Sequence, residues 1–235
     1  MKSLVFDTST IISIATNNLL WVLPELKKRF RGEFYIAPTV KHEVIDIPLQ
    51  SKKYKLEAMQ ILSLMGEGII KTYRNSKKRV QEISEMANKI FKSKDTWIQI
   101  MHEGEIESLA VAIDLNADAY VIDERNTRLL IENPEVLGDL LQQKLHTKIQ
   151  IDYNNLRRFK EYVKGIRIIR SIELMTIAYE LGMMNEYLRK EGREIAKIDL
   201  RRNLVDGMLW GLKLKGCSIT KKEIREIIGL ETSKF

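Results

Sequence analysis

The chain has 235 residues, 44% hydrophobic and 30% charged, a usage that supports a packed core and excludes a disordered chain. Lys and Arg total 39 against 32 Asp and Glu, a net charge of +7 that favours polyanionic partners without naming one. The single cysteine, Cys217, rules out an intrachain disulfide, a CxxC redox pair and a zinc ribbon, and no apolar run reaches the ~18 residues of a membrane span. The start MKSLVFDTST puts an acid where a signal peptide carries its apolar stretch, so the expected location is the cytoplasm, with no membrane partner.

Leu4-Val5-Phe6 predicts a short strand, Asp7-Thr8-Ser9-Thr10 a capped turn, and Ile11 to Ala15 a helix. Leu19 to Phe30 continues with helical spacing, with Pro24 near a helix start, and Phe34 to Ala37 predicts a second strand ended by Pro38. Thr39 reads as the N-cap of a helix carrying Val40, Glu43 and Val44. A helix over 55–65 is broken by Gly66-Glu67-Gly68 before a strand over 69–73, and 77–101 shows helical periodicity. A helix from Glu105 to Asn116 leads into the buried-looking strand Ala119 to Ile122, which ends on Asp123. Residues 126–163 read as mostly helical, with KIQIDY over 148–153 fitting a short strand equally well. Ile166 to Ile169 predicts the last strand, Ser171 caps a helix through Leu181, and helices follow over 199–215 and 221–228. Strands alternating with helices in this order predict a mainly parallel sheet covered by helices on both faces, and no linker divides the chain.

In open α/β sheets ligands bind outside the carboxyl ends of the strands, where Asp7 and Asp123 fall. Each alone could be a helix cap. Glu43 and Glu105 lie on helix segments that the fold brings to the same end, so four carboxylates converge. Such a cluster repels itself unless cations neutralise it, and an all-oxygen set suits Mg²⁺ or Mn²⁺. The chemistry inferred is metal-assisted phosphodiester hydrolysis.

FDTS around Asp7, P-x-V-x-x-E from Pro38 to Glu43, GEIESLAVA from Gly104 to Ala112 and VID ending on Asp123 resemble the motifs of PIN-domain nucleases. The resemblance implies a three-layer α/β/α fold with a central, mainly parallel sheet in a single domain over 1–235. Helical insertions around 77–101 and 132–163 and C-terminal helices over 199–229 would complete it. It implies Asp7, Glu43, Glu105 and Asp123 as catalytic acids and ligands of Mg²⁺ or Mn²⁺, and RNA as substrate. Ser9 matches the hydroxyl residue after the first acid, and with it the resemblance implies a substrate-binding residue. IRIIRSIELMTIAYELGMM and LVDGMLWGLKLKGCSIT are similar to the closing elements of a prokaryotic branch that includes toxin nucleases, which implies an antitoxin protein and a homodimer. Residues 77–101, 132–163 and 184–197 match poorly.

Arg125 and Arg128, just beyond Asp123, are candidate substrate-binding residues able to hold a phosphate, or else partners of the acids. Glu107 and Glu124 stand beside the primary acids and read either as members of the site or as solvated acids. His102-Glu103 does not begin an H-E-x-x-H zinc motif, because Ile106 occupies the second histidine position. The glycines near Gly104 lack the Lys-Ser/Thr of a P-loop, while Gly207, Gly211 and Gly216 suggest close helix packing. The runs 27–29, 77–79, 157–158 and 201–202 fit an RNA-tracking surface or solvated helix faces. A catalytically silent binding module and a DNA-directed nuclease share the pattern; intact acids at all four positions favour an enzyme.

Overall fold

A computed structural model describes residues 2–74, 77–189 and 198–233. The poorly matched stretch at 184–197 therefore lies partly outside the described residues. Five short strands form a parallel sheet in the order β3-β2-β1-β6-β8. They are β1 (Ser3–Phe6), β2 (Glu33–Ile36), β3 (Ile70–Thr72), β6 (Ala119–Val121) and β8 (Ile168–Ile169). All four pairings are parallel, with Phe6 opposite Ile36 on one side and Val121 on the other. Phe6, Phe34, Ile36, Tyr120 and Val121 are fully buried, as strands covered on both faces require.

Chain order makes the site. From β1, the helices α1 (Thr8–Thr16) and α2 (Val22–Phe30) lead to β2 on one side, whereas α7 (Glu103–Asp114) brings the chain back to β6 on the other. The carboxyl ends of β1 and β6 are thus a topological switch point, where a crevice opens between diverging connections. Between β2 and β3 lie α3 (Pro38–Lys41), a π-helical turn (His42–Asp46), α4 (Ile47–Gln50) and α5 (Lys55–Gly66). The helices α6 (Lys77–Ala87), α8 (Arg125–Glu132), α9 (Pro134–Leu145) and α10 (Tyr153–Tyr162) surround the sheet, followed by α11 (Ser171–Glu180), α12 (Leu200–Leu214) and α13 (Lys221–Ser233).

The structure departs from the sequence expectation at 77–101. Only α6 is helical there; β4 (Phe91–Ser93) and β5 (Thr96–Trp97) form a hairpin that turns at Lys94, whose φ is +53°. KIQIDY resolves as β7 (Ile149–Ile151), antiparallel to β4 with Phe91 opposite Ile151. Each strand is too short to show its period, and the pairing spans nearly sixty residues. Two caps also differ. Thr39 is the second residue of α3, and Ser171 is the first residue of α11 behind Arg170. Their hydroxyls are used elsewhere, on Glu107 and Asp123. Thr220 caps α13, with Glu223 N–H donating to its hydroxyl at 3.1 Å and the Glu223 carboxylate accepting from Thr220 N–H at 2.8 Å. Gly211 packs on the Asn17 side chain, but Gly207 has open space beside it, so only the first is needed for close helix approach.

Candidate active site

Asp7 follows β1 directly and caps α1. Its Oδ2 accepts from the Ser9 N–H at 2.9 Å and the Ser9 hydroxyl at 2.7 Å, which leaves Oδ1 facing the Tyr120 hydroxyl at 3.5 Å. The residue is 2% exposed. Burial pushes its carboxyl up to about 6, against the Ser9 hydrogen bonds and with help from the negative charge of Glu43.

Glu43 projects from the π-helical turn over the first turn of α7. A Cβ at Gly104 would stand 3.2 Å and 3.3 Å from its two carboxylate oxygens, so the absence of a side chain at 104 gives the carboxylate its seat. The amino end of α7 favours a negative charge there, and the Thr8 hydroxyl donates to Oε2.

Glu105 is the third residue of α7. Its Oε2 accepts from the His102 N–H at 2.7 Å, so part of its work is to close the helix start. It is 9% exposed. Burial, then the charges of Asp7 and Glu124, push its carboxyl up to about 8 against the lowering effect of the His102 N–H. Tyr120, fully buried on β6, reaches the same place from below, donating to the Glu105 carbonyl at 3.3 Å.

These three acids share a cleft of about 220 Å³ with Thr8, Ser9, His102 and Gly104. Among the described residues no lysine or arginine lines it. The other sequence candidates sit differently. Asp123 is fully buried, and its carboxylate turns away from the cleft to accept from Ser171, N–H to Oδ1 at 2.7 Å and hydroxyl to Oδ2 at 2.6 Å. Strand alternation carried past β6 explains this: Tyr120, Ile122 and Glu124 fall on one face, Val121 and Asp123 on the other. Of these two acids it is Glu124 whose charge adds to that of Asp7 at Glu105 and Tyr120, while its side chain caps α8 by accepting from Thr127 N–H at 2.6 Å. Glu107 faces away from the cleft and ties α7 to α3, accepting from Thr39 N–H at 2.7 Å.

Ser9 lines the cleft, where its hydroxyl donates to Asp7 and accepts from the Asp123 N–H at 3.1 Å, so its proton is held within the protein. Arg128 is largely covered and pairs with Glu132 at 3.1 Å along α8 rather than standing at the cleft. Arg125 is exposed and makes no ion pair among the described residues. Of the basic runs, Lys27 is bound to Glu33 at 2.8 Å, and Arg79 is paired with Asp114. Cys217 is buried, and that burial pushes its thiol up to about 12, as suits a packed residue.

Thr8, Gly104 and Tyr120 belong to the site and were missed. Thr8 is visible in hindsight within the D-T-S motif, whereas Tyr120 reads in sequence only as a core residue of β6.

As placed, no three His, Cys, Asp or Glu side chains among the described residues form a group that would hold a metal ion. The donor set nevertheless fits a hard divalent cation in chemistry: three carboxylates at one cleft, two of them buried with raised pKa values and no cationic side chain between them.

A parallel α/β sheet with carboxylates gathered at its switch point defines the class as an open α/β protein with an acidic cleft at its strand ends. Residues 3–136 match the family model described as DUF3368: PIN domain, and the chain belongs to that PIN-domain family. PIN domains form a nuclease superfamily whose members are typically dependent on divalent metals. No curated protein and no solved structure matches the chain. The match ends within α9, so β7, β8 and the helices α10 to α13 lie beyond it.

Proposed function

We propose that this protein is a divalent-metal-dependent endoribonuclease whose machinery is Asp7, Glu43 and Glu105, supported by Glu124. The observation that carries this reading is the shared cleft of three carboxylates, lined by no lysine or arginine among the described residues, at the carboxyl end of β1. Mg²⁺ or Mn²⁺, when bound there, supplies the positive charge that stabilises the attacking and leaving oxygens of an in-line displacement at phosphorus.

The chain's own residues supply the rest. Asp7 offers Oδ1 to the cleft because Ser9 fixes Oδ2. Glu43 leans over the amino end of α7 from the opposite wall, and Tyr120 holds the floor by bonding the Glu105 carbonyl. Arg125, exposed and beyond β6, is the proposed phosphate contact for RNA; Arg128 supports α8 instead. No helix of the described residues is long and apolar enough to cross a membrane, and the net charge of +7 suits an anionic polymer. A toxin-type role with an antitoxin and a homodimer, or an RNA-processing role, is proposed on the sequence resemblance alone, as is a single domain over 1–235.

Protein stripped with EDTA and replenished with Mn²⁺ should cut an unstructured RNA, and Asp7→Asn should reduce cutting to the uncatalysed rate. Equal cutting by both proteins would sink the assignment.

A further inference from the structure

Asp123 is an acid at the end of a central strand, yet nothing of it reaches the cleft. Both carboxylate oxygens are engaged at the amino end of α11 by the Ser171 N–H and hydroxyl, at 2.7 Å and 2.6 Å. A charge-assisted pair at a helix start is a strong and directional attachment. The backbone of the same residue makes two further links. Its carbonyl accepts from the Ser218 N–H at 3.2 Å, and its N–H donates to the Ser9 hydroxyl at 3.1 Å.

Arg170 closes the C-terminal side of this knot. Its guanidinium donates to the Ser218 carbonyl at 2.8 Å and to Glu223 at 3.1 Å, so α11, the turn at 217–220 and α13 are held as one piece. From the other side, the Ser9 hydroxyl that accepts from Asp123 is the one that donates to Asp7 Oδ2 at 2.7 Å. An unbroken path of hydrogen bonds therefore runs from Ser171 and Ser218, outside the PIN-domain match, through Asp123 and Ser9 to Asp7.

We infer that Asp123 is a positioning residue that does not ligate a cation: it docks the C-terminal helices onto the end of β6 and, through Ser9, sets which oxygen of Asp7 faces the cleft. For Asp123 to turn to the cleft, the Ser171 pair would have to break and leave two polar groups buried without partners. The C-terminal helices are accordingly part of the site's support, although they contribute no side chain to the cleft.

Two arms on the full chain test this, and only the metal arm depends on the nuclease reading. In the first, hydrogen exchange is followed by mass spectrometry without metal. Ser171→Ala should speed exchange at 168–175 and also at 7–14 and 216–221. Ser218→Ala should change none of them, since only the backbone of Ser218 is used. Faster exchange confined to 168–175 would reduce Asp123 to a local cap and overturn the inference.

In the second arm Mn²⁺ affinity is measured by calorimetry. An amide at 123 keeps an oxygen for the Ser171 N–H, and the Ser171 hydroxyl can rotate to accept. Asp123→Asn should therefore bind Mn²⁺ within about threefold of the original chain, and Asp123→Ala roughly 10–100-fold more weakly, as supporting residues behave. Loss of binding in Asp123→Asn as complete as in Asp7→Asn would make Asp123 a ligand. If the unaltered protein binds no Mn²⁺, the nuclease reading fails and the exchange arm alone decides the role of Asp123.

Discussion

Asp7→Asn should make the metal-free protein more stable at neutral pH and not at acid pH. Asp7 ionises near 3.8 in an unfolded chain and at about 6 in the fold, because burial disfavours its charge. Between those values the native state holds more protons than the unfolded state, so stability falls as pH rises through this window. Worked through linkage, ionised Asp7 costs the fold about 3 kcal/mol at pH 7 and about 0.5 kcal/mol at pH 4. Asparagine is neutral throughout and keeps an oxygen for Ser9, at a loss of about 1 kcal/mol of charge-assisted bonding. The net gain is then about 2 kcal/mol at pH 7, or roughly 4–8 °C for a chain of this size, and close to zero at pH 4. Glu105, pushed up to about 8, should extend the decline of the unaltered protein to higher pH in the same direction. Differential scanning calorimetry in EDTA from pH 4 to pH 8 measures both curves. An Asp7→Asn protein that melts below the original chain by the same margin at every pH would refute the buried-charge account.

Gly104→Ala separates site from scaffold. A Cβ there presses on the Glu43 carboxylate at 3.2 Å while the helix itself gains, so the melting temperature should hold but Mn²⁺ affinity should fall about 10–100-fold by calorimetry. Asn88→Ala should do the reverse kind of damage. Asn88 Oδ1 accepts from the N–H groups of Ile100 and Met101, each at 2.9 Å, and its Nδ2 donates to the Met101 carbonyl at 3.0 Å. Its removal strands these buried groups at about 3 kcal/mol and should lower the melting temperature by roughly 6–12 °C. Arg125→Ala should weaken RNA binding and flatten its salt dependence by about 0.7 to 0.9 in slope, whereas Arg128→Ala should leave the slope unchanged; fluorescence anisotropy across a salt titration reads both.

The acids at positions 7 and 105 were legible because their surroundings are local. An apolar run that stops on Asp7 and a helix that opens on Gly104-Glu105 are each complete within a few residues. Glu43 was legible as an acid after β2, but not the π-helical turn that carries it or the bare Gly104 beneath it, which lies sixty-one positions further on. The different placement of Asp123 and Glu124 was hidden for a sharper reason. Both follow β6, and what separates them is the strand face each inherits and the presence of Ser171, forty-eight positions away. The hairpin at 91–97 failed for the same cause as the ambiguity at 148–153. Three-residue strands carry too little alternation to declare themselves, and their partners are each other.

The claim that the acids form one cation site is tested most directly by thermal melts at pH 7.5 with and without Mn²⁺, since this needs no known substrate. At 100 times its dissociation constant a ligand stabilises the fold by about 2.7 kcal/mol, a shift of several degrees here. The original chain and Glu226→Gln, a surface acid on α13, should show the full shift, while Asp7→Asn and Glu105→Gln should show none. A full Mn²⁺ shift in both of the latter variants would contradict the account, because the cation would then be held somewhere other than the cleft of Asp7, Glu43 and Glu105.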